Sequence, residues 1–249
     1  MVASTALNAI VLNAPVDVLR VLNYMPAQNA RNLPVQTEFR LTFNAPLDTS
    51  RFGLFISPEP VGFSKTSLAL GSGAKTLSST LTLQSNTSYS ALLFAANSTR
   101  GQVLPAPVLI QFSTASDFPS GEVRGQVDFG LSPDSTKYVL VGLLRQDIPT
   151  LLVRLFPPLN EKVNAVLSSA LMAMTYVREE SGNFAITHLP DGTYWPVAAK
   201  DFNGNGSFEL GTDPIGYYDG DGDGATSPGD SVVVRNGNVV GNVVMKRLF

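Results

Sequence analysis

The clearest fold signal in the chain is the stretch RNLPVQTEFRLTFNAPLDT at residues 31–49. Its apolar residues Phe39, Leu41 and Phe43 alternate with polar residues at every second position. Strict alternation predicts a β-strand with one face in a core and the other toward solvent. The Asn-Ala-Pro sequence at 44–46 then ends this strand.

Working outward, shorter strand patterns separated by clusters of Ser, Asn, Gly and Pro occur at 54–56, 79–83, 88–94 and 108–113. Many short strands at such spacing predict an antiparallel β-sandwich, which we assign to residues 20–116. Residues 1–19 are either a preceding strand or a linker. They lack a basic segment ahead of an apolar one, so we expect no signal peptide here and infer that a signal was removed.

Several of these segments resemble the bacterial immunoglobulin-like domain: Pro26, NLPVQTEFRLTFNAPLD at 32–48, NTSYSALL at 86–93 and PVLIQFSTAS at 107–116. The resemblance implies a β-sandwich. It also implies a spacer or adhesive role in a secreted or surface protein.

The second part of the chain follows a short linker at 117–121 and also has strand patterns. EVRGQVDF at 122–129 alternates, and 138–144 is a buried-strand run. Together with SGNFAITHLPDGTY at 181–194, they resemble the transthyretin-like, or carboxypeptidase-regulatory-like, β-sandwich of exported bacterial proteins. The expected fold is therefore all-β, with an immunoglobulin-like sandwich at 20–116 and a transthyretin-like sandwich at 122–249.

Residues 145–176 depart from the transthyretin-like pattern as a long insertion. Apolar residues at helical spacing after Asn160 predict a short helix within 160–173, followed by a strand. The alternative is that 173–177 is simply the strand before the next turn. Near the C-terminus, Asn236-Gly237 between apolar runs predicts a β-hairpin.

The most unusual stretch is DFNGNGSFELGTDPIGYYDGDGDGATSPGD at 201–230, which holds seven carboxylates and no Lys or Arg. Carboxylates this close repel and raise each other's pKa unless a cation compensates them. Oxygen ligands at alternate positions suit a hard cation, and calcium is the usual occupant. The spacing predicts two calcium ions, one in each of two loops.

The second loop, 219–230, has the ligand spacing of an EF-hand-type calcium site. Its predicted ligands are Asp219, Asp221, Asp223, the carbonyl of Ala225, Ser227 and Asp230. It resembles the DxDxDG loop of dockerins, although a strand sequence, not a helix, follows it.

The first loop, 201–213, is a less regular version of the same pattern. Its predicted ligands are Asp201, Asn203, Asn205, the carbonyl of Ser207, Glu209 and Asp213. Asp213 comes one residue late and serves either loop. Because two amides replace carboxylates, we expect the first site to bind calcium more weakly.

Composition excludes several functions. The formal net charge is −3 with no basic run, which argues against nucleic-acid binding, and the apolar runs are too short for membrane insertion. The chain has no cysteine, and its single histidine, His188, has no GxSxG partner motif. We therefore expect no enzymatic activity.

The expected function is a non-enzymatic module of a secreted or cell-surface bacterial protein, in which calcium is structural. Two alternatives stay open. One is a calcium-assisted carbohydrate- or protein-binding adhesion module, whose partner is a surface polymer or another protein. The other is a non-catalytic fragment of a larger secreted hydrolase. An adhesion module would use Trp195, Tyr194, Tyr217 and Tyr218 as a sugar platform, whereas core packing is their alternative role.

Overall fold

The computed structural model describes residues 18–129, 138–147, 160–178, 181–209, 212–222 and 229–247, and it confirms the all-β fold. From residue 18 onward, the first half contains seven strands: β1 (Val21–Met25), β2 (Gln36–Phe43), β3 (Leu47–Ser57), β4 (Ala69–Leu70), β5 (Thr76–Thr82), β6 (Ser88–Ser98) and β7 (Val108–Ser113). Two short 3-10 turns, Lys65–Ser67 and Ser72–Ala74, flank β4. The strands form two sheets with the orders β1-β2-β5-β4 and β3-β6-β7.

The alternating stretch forms β2, as predicted. Phe39, Leu41 and Phe43 are buried in the first core, while Glu38 and Arg40 on either side of Phe39 are exposed. Both sheets contribute to this core, which also includes Ile56 of β3 and Phe112 of β7. Further large residues of the same core are Leu19, Leu54, Leu77, Leu81, Tyr89, Leu93 and Ile110. The first half is therefore an immunoglobulin-like β-sandwich.

The described part of the second half contains eight strands and one helix: β8 (Gly121–Asp128), β9 (Val139–Leu144), α1 (Asn160–Ala170), β10 (Leu171–Val177), β11 (Ser181–Leu189), β12 (Gly192–Ala199), β13 (Ile215–Tyr218), β14 (Val232–Val234) and β15 (Val239–Arg247). Their order is β10-β9-β12-β13-β15-β8-β11, with β14 paired to β12. All pairs are antiparallel except β15 with β8, which run parallel. The outer strands β10 and β11 lie next to each other, so the sheet curls around a second core.

The insertion forms a helix followed by a strand, which confirms the prediction for this segment. The helix ends at Ala170 and β10 begins at Leu171. Val166 and Ala170 of α1 are buried. The helix thus covers apolar surface that the transthyretin-like pattern does not account for.

The prediction of a hairpin at Asn236-Gly237 is wrong. The tight turn itself forms, with positive φ at both residues and a hydrogen bond from the Asn238 N–H to the Arg235 carbonyl (3.1 Å). However, β14 pairs with β12, whereas β15 pairs with β13 and β8. Because both strands satisfy their backbone groups with other partners, the turn joins two different pairings.

A third apolar cluster joins the two halves. Phe55 and Leu92 of the first half pack against Leu144, Met174 and Phe208 of the second half. The cluster lines an apolar cavity of ≈ 50 Å³. The halves therefore share a hydrophobic interface in addition to their covalent linker.

The aromatic residues of the second half serve core packing. Tyr194 and Tyr217 are buried, Tyr218 packs against the second core, and Trp195 packs against the shared cluster. Since Tyr194 and Tyr218 belong to the second core and Trp195 to the shared cluster, these three residues do not form a single platform for a sugar. Within the described residues, no helix is long and apolar enough to cross a lipid bilayer.

Candidate metal centre

The predicted ligands lie in two loops at opposite ends of the short strand β13. The first loop, 201–213, joins β12 to β13, and the second loop, 219–230, joins β13 to β14. Strand β13 is held between β12 and β15 by backbone hydrogen bonds. The ends of both loops are therefore fixed to the sheet.

The first loop wraps around the carboxylate of Asp201. Its Oδ1 accepts hydrogen bonds from the N–H groups of Gly204 (2.8 Å) and Asn205 (3.2 Å), and its Oδ2 accepts one from Gly206 (2.8 Å). The two glycines have φ values of +70° and +78°, in the left-handed region that favours glycine. This tight turn aims successive side chains toward one side of the loop.

The structure brings Asn203, Asn205 and Glu209 together. The Nδ2 groups of the two asparagines donate to Glu209 Oε2 (2.7 Å) and Oε1 (2.6 Å), respectively. Their Oδ1 atoms accept from the N–H groups of Asn205 (2.9 Å) and Ser207 (2.8 Å). Ser207 thus lies in the same turn.

Asp213 stabilises the first loop through hydrogen bonds to its backbone. It is buried, and its two carboxylate oxygens accept hydrogen bonds from the N–H groups of Phe202 (2.9 Å) and Glu209 (2.9 Å). Burial raises the pKa of Asp201, backbone hydrogen bonds oppose that shift, and the nearby Asp213 charge adds to it. One half-buried and one buried carboxylate in the same loop create a negative potential that a cation would relieve.

In the second loop, the structure brings Asp219, Asp221 and Asp230 together. One carboxylate oxygen from each lies within 4.8 Å of the others. Asp230 Oδ2 accepts from the N–H groups of Gly220 (2.6 Å) and Asp221 (3.0 Å), and Asp219 Oδ1 accepts from Gly222 (3.0 Å). The other predicted ligands of this loop lie outside the described residues: Asp223, Ala225 and Ser227.

The spacing of these three carboxylates suits calcium. Calcium binds oxygen ligands at about 2.3–2.6 Å, so two ligands of one ion are at most about 5 Å apart. Asp219 and Asp230 are half-buried and Asp221 is exposed. An ion held here would keep open positions for water or for the remaining loop residues.

Sequence reasoning missed a cation that the first half supplies to the first loop. The Lys65 ammonium donates to the carbonyls of Phe52 and Gly206, both at 3.3 Å. Burial lowers the pKa of Lys65, and the Asp201 carboxylate opposes that shift. No local pattern could have revealed this contact, because it joins residues far apart in the sequence.

Sequence reasoning also missed Asn164 of α1. Its Oδ1 accepts from the Phe208 N–H (3.1 Å), and its Nδ2 donates to the Phe208 carbonyl (3.4 Å). Both backbone groups of a first-loop residue are therefore held by the helix of the insertion.

His188 contacts the linker between the halves. Its ring stacks on Phe118 with centroids 4.1 Å apart, and its backbone has a φ of 63°. Burial lowers the pKa of His188, partly offset by a hydrogen bond with the backbone of Pro119. These contacts give the imidazole a packing role at the linker.

The first half of the chain matches a known family model. Residues 16–114 match the family model of the bacterial Ig-like domain. No curated protein matches the chain significantly.

Solved structures similar to this chain include three bacterial proteins. The MG0-NIE-MG1 part of alpha-2-macroglobulin from Escherichia coli has 16% sequence identity and a TM-score of 0.30, and the match covers 73% of this chain and 66% of that chain. Latent PorU from Porphyromonas gingivalis has 9% identity and a TM-score of 0.28, and the match covers 90% of this chain and 20% of that chain. The N-terminal part of the S-layer protein SbsC has 11% identity and a TM-score of 0.27, and the match covers 74% of this chain and 41% of that chain. The chain spans less than two thirds of the length of each of these structures.

Proposed function

We propose that this chain is a non-enzymatic module of a secreted or cell-surface bacterial protein, and that its second half binds calcium as a structural ion. The match of residues 16–114 to the bacterial Ig-like domain supports a surface role, because such domains commonly serve as spacers or adhesive modules. Calcium sites of modest affinity suit this location, since extracellular calcium is millimolar.

The observation that carries the calcium proposal is the convergence of Asp219, Asp221 and Asp230 within 4.8 Å. Without a cation, three carboxylates at this distance repel one another. An ion there would tie the end of β13 to the start of β14, so it would stabilise the folded sheet. The absence of a flanking helix on either side favours a structural ion over an EF-hand sensor, which works by helix reorientation.

We propose that the first loop holds a second, weaker ion. Asp201, Asn203, Asn205 and Glu209 already converge there, and the glycine conformations suit a calcium loop. Oxygens of Asp201, Asn203 and Asn205 accept hydrogen bonds from backbone N–H groups of the loop. An ion in this loop would be coordinated by the same oxygens. We also propose a transthyretin-like sandwich for the second half, supported by its curled, mainly antiparallel sheet.

An adhesive role toward a surface polymer or another protein is compatible with the Ig-like half. The separation of Tyr194 and Tyr218 in the second core from Trp195 in the shared cluster argues against the sugar platform considered for the second half. A structural ion is therefore the function that the geometry supports best.

The test is thermal unfolding with calcium and with a chelator. Calcium at about 100 times its Kd stabilises the folded state by about 2.7 kcal/mol, which raises the Tm by roughly 5–10 °C for a chain of this size. Asp221→Asn should remove most of that shift. Asp117→Asn, an exposed carboxylate of the linker, is the matched control and should keep it. An unchanged wild-type Tm would contradict the proposal.

A further inference from the structure

The first loop is also in close contact with the first half of the chain. Gly206 lies against the backbone of the first half: a Cβ at this position would lie 2.7 Å from the Phe52 carbonyl carbon and 2.8 Å from the Gly53 nitrogen. Only glycine allows this approach. The backbone of the loop is therefore in direct contact with β3.

Phe208 extends this contact into the shared apolar cluster. Its ring stacks on Phe94 and Phe55 of the first half, with centroids 5.5 and 6.0 Å apart. It is 2% exposed. A change in the path of the first loop would therefore disturb the interface between the halves.

Lys65 adds a polar link across the same contact. Its ammonium joins the carbonyl of Phe52 in its own half to the carbonyl of Gly206 in the other half. The N–H of Gly206 binds Asp201 Oδ2 at 2.8 Å, so one residue connects the ammonium to the central carboxylate of the loop. A cationic group is thus already present at the loop proposed to bind a cation.

We propose that Lys65 and a calcium ion compete for the first loop, so that calcium entering this loop loosens the contact between the two halves. This inference rests on the proposed calcium function. Gly206 bonds to both Lys65 and Asp201, so an ion held by Asp201 and Glu209 would lie near the ammonium, and like charges repel each other. The ion would weaken the bond from Lys65 to Gly206, while the aromatic stack would keep the halves together.

Energetic coupling between two interactions is reciprocal. If calcium weakens the bond from Lys65 to Gly206 by a certain factor, removing the lysine charge must strengthen calcium binding by the same factor. In the unmodified chain, calorimetric titration to millimolar calcium should show a strong step at the second loop and a weaker step at the first. Lys65→Met should tighten the weaker step by about 5-fold or more. Lys65→Arg, which keeps the charge, and Lys75→Met, which removes an exposed charge in the same half, should leave it unchanged.

The orientation of the halves can be measured in the same samples. Because the chain has no cysteine, spin labels can be placed at Ser85→Cys and Arg235→Cys, one exposed position in each half. The distance distribution between the labels should broaden as the weaker step fills. In Lys65→Met it should be broad before calcium is added.

The other possible results of these titrations distinguish the competition with Lys65 from the calcium sites themselves. Two steps with unchanged affinity in Lys65→Met would refute the competition and leave the calcium function intact. A single step, lost in Asp221→Asn, would refute an ion in the first loop and thus this inference, while the second site would stand. No binding at all would refute both the proposed function and the inference.

Discussion

Because Phe208 is buried in the shared apolar cluster, we can predict how much Phe208→Ala lowers the free energy of unfolding. Phe208 is the only one of the two phenylalanines in the first loop that is buried, at 2% exposure against 51% for Phe202. It packs between two aromatic rings of the other half. Removing it therefore removes contact between the halves without changing any predicted metal ligand.

The size of the effect follows from burial. Replacing a buried phenylalanine by alanine lowers the free energy of unfolding by about 3–5 kcal/mol. Phe208 already lines the apolar cavity of ≈ 50 Å³, so its neighbours can move partly into the new space. We expect a loss near the lower end, about 3 kcal/mol.

Urea unfolding followed by fluorescence is the suitable assay, because Trp195 is the chain's single tryptophan and packs against the same cluster. With a denaturant slope of about 3 kcal/mol/M, the midpoint should fall by about 1 M. Phe202→Ala in the same loop is the matched control and should change the midpoint little. A loss below about 1 kcal/mol for Phe208→Ala, or an equal loss for the control, would refute the shared interface.

Three further substitutions test individual contacts. Gly206→Ala should destabilise the fold by about 2 kcal/mol or more, since it combines left-handed backbone strain with a clash against Phe52, whereas Gly204→Ala has the same strain but open space around it. Equal urea midpoints for these two variants would contradict the close approach. Tyr89→Phe should lower the free energy of unfolding by about 1 kcal/mol, because the buried hydroxyl accepts a backbone N–H at 2.6 Å, and an unchanged midpoint would count against that bond. The pKa of His188 is lowered from 6.5 in the folded state, so its contribution to stability is present above pH 6.5 and is lost as the pH falls through the lower, folded pKa. His188→Asn, which tolerates the positive φ, should flatten the pH dependence of the Tm in that window, and an identical pH profile would contradict the assignment.

Local patterns predicted most of the individual elements. The alternation in β2 and the helical spacing after Asn160 each reflect which side of one element faces a core, and that information is contained within a short window. The ligands of the first loop are likewise near one another in the sequence. Backbone turns centred on Asp201 suffice to bring them together.

Long-range packing decided what the sequence left undetermined. The Asn236-Gly237 turn was predictable, but the partners of its flanking strands depend on where β12 and β8 lie. The burial of Phe208 was equally hidden, because nothing in the sequence of the first loop distinguishes it from the exposed Phe202. Lys65 could not be linked to the first loop, since its contact exists only once the two halves pack together.

A crystal structure grown with millimolar calcium would show directly whether an ion binds between β13 and β14. We predict an anomalous difference peak in the second loop, with oxygens of Asp219, Asp221 and Asp230 at about 2.3–2.6 Å from the ion. A map without a peak at these three carboxylates, from crystals that contain millimolar calcium, would contradict it.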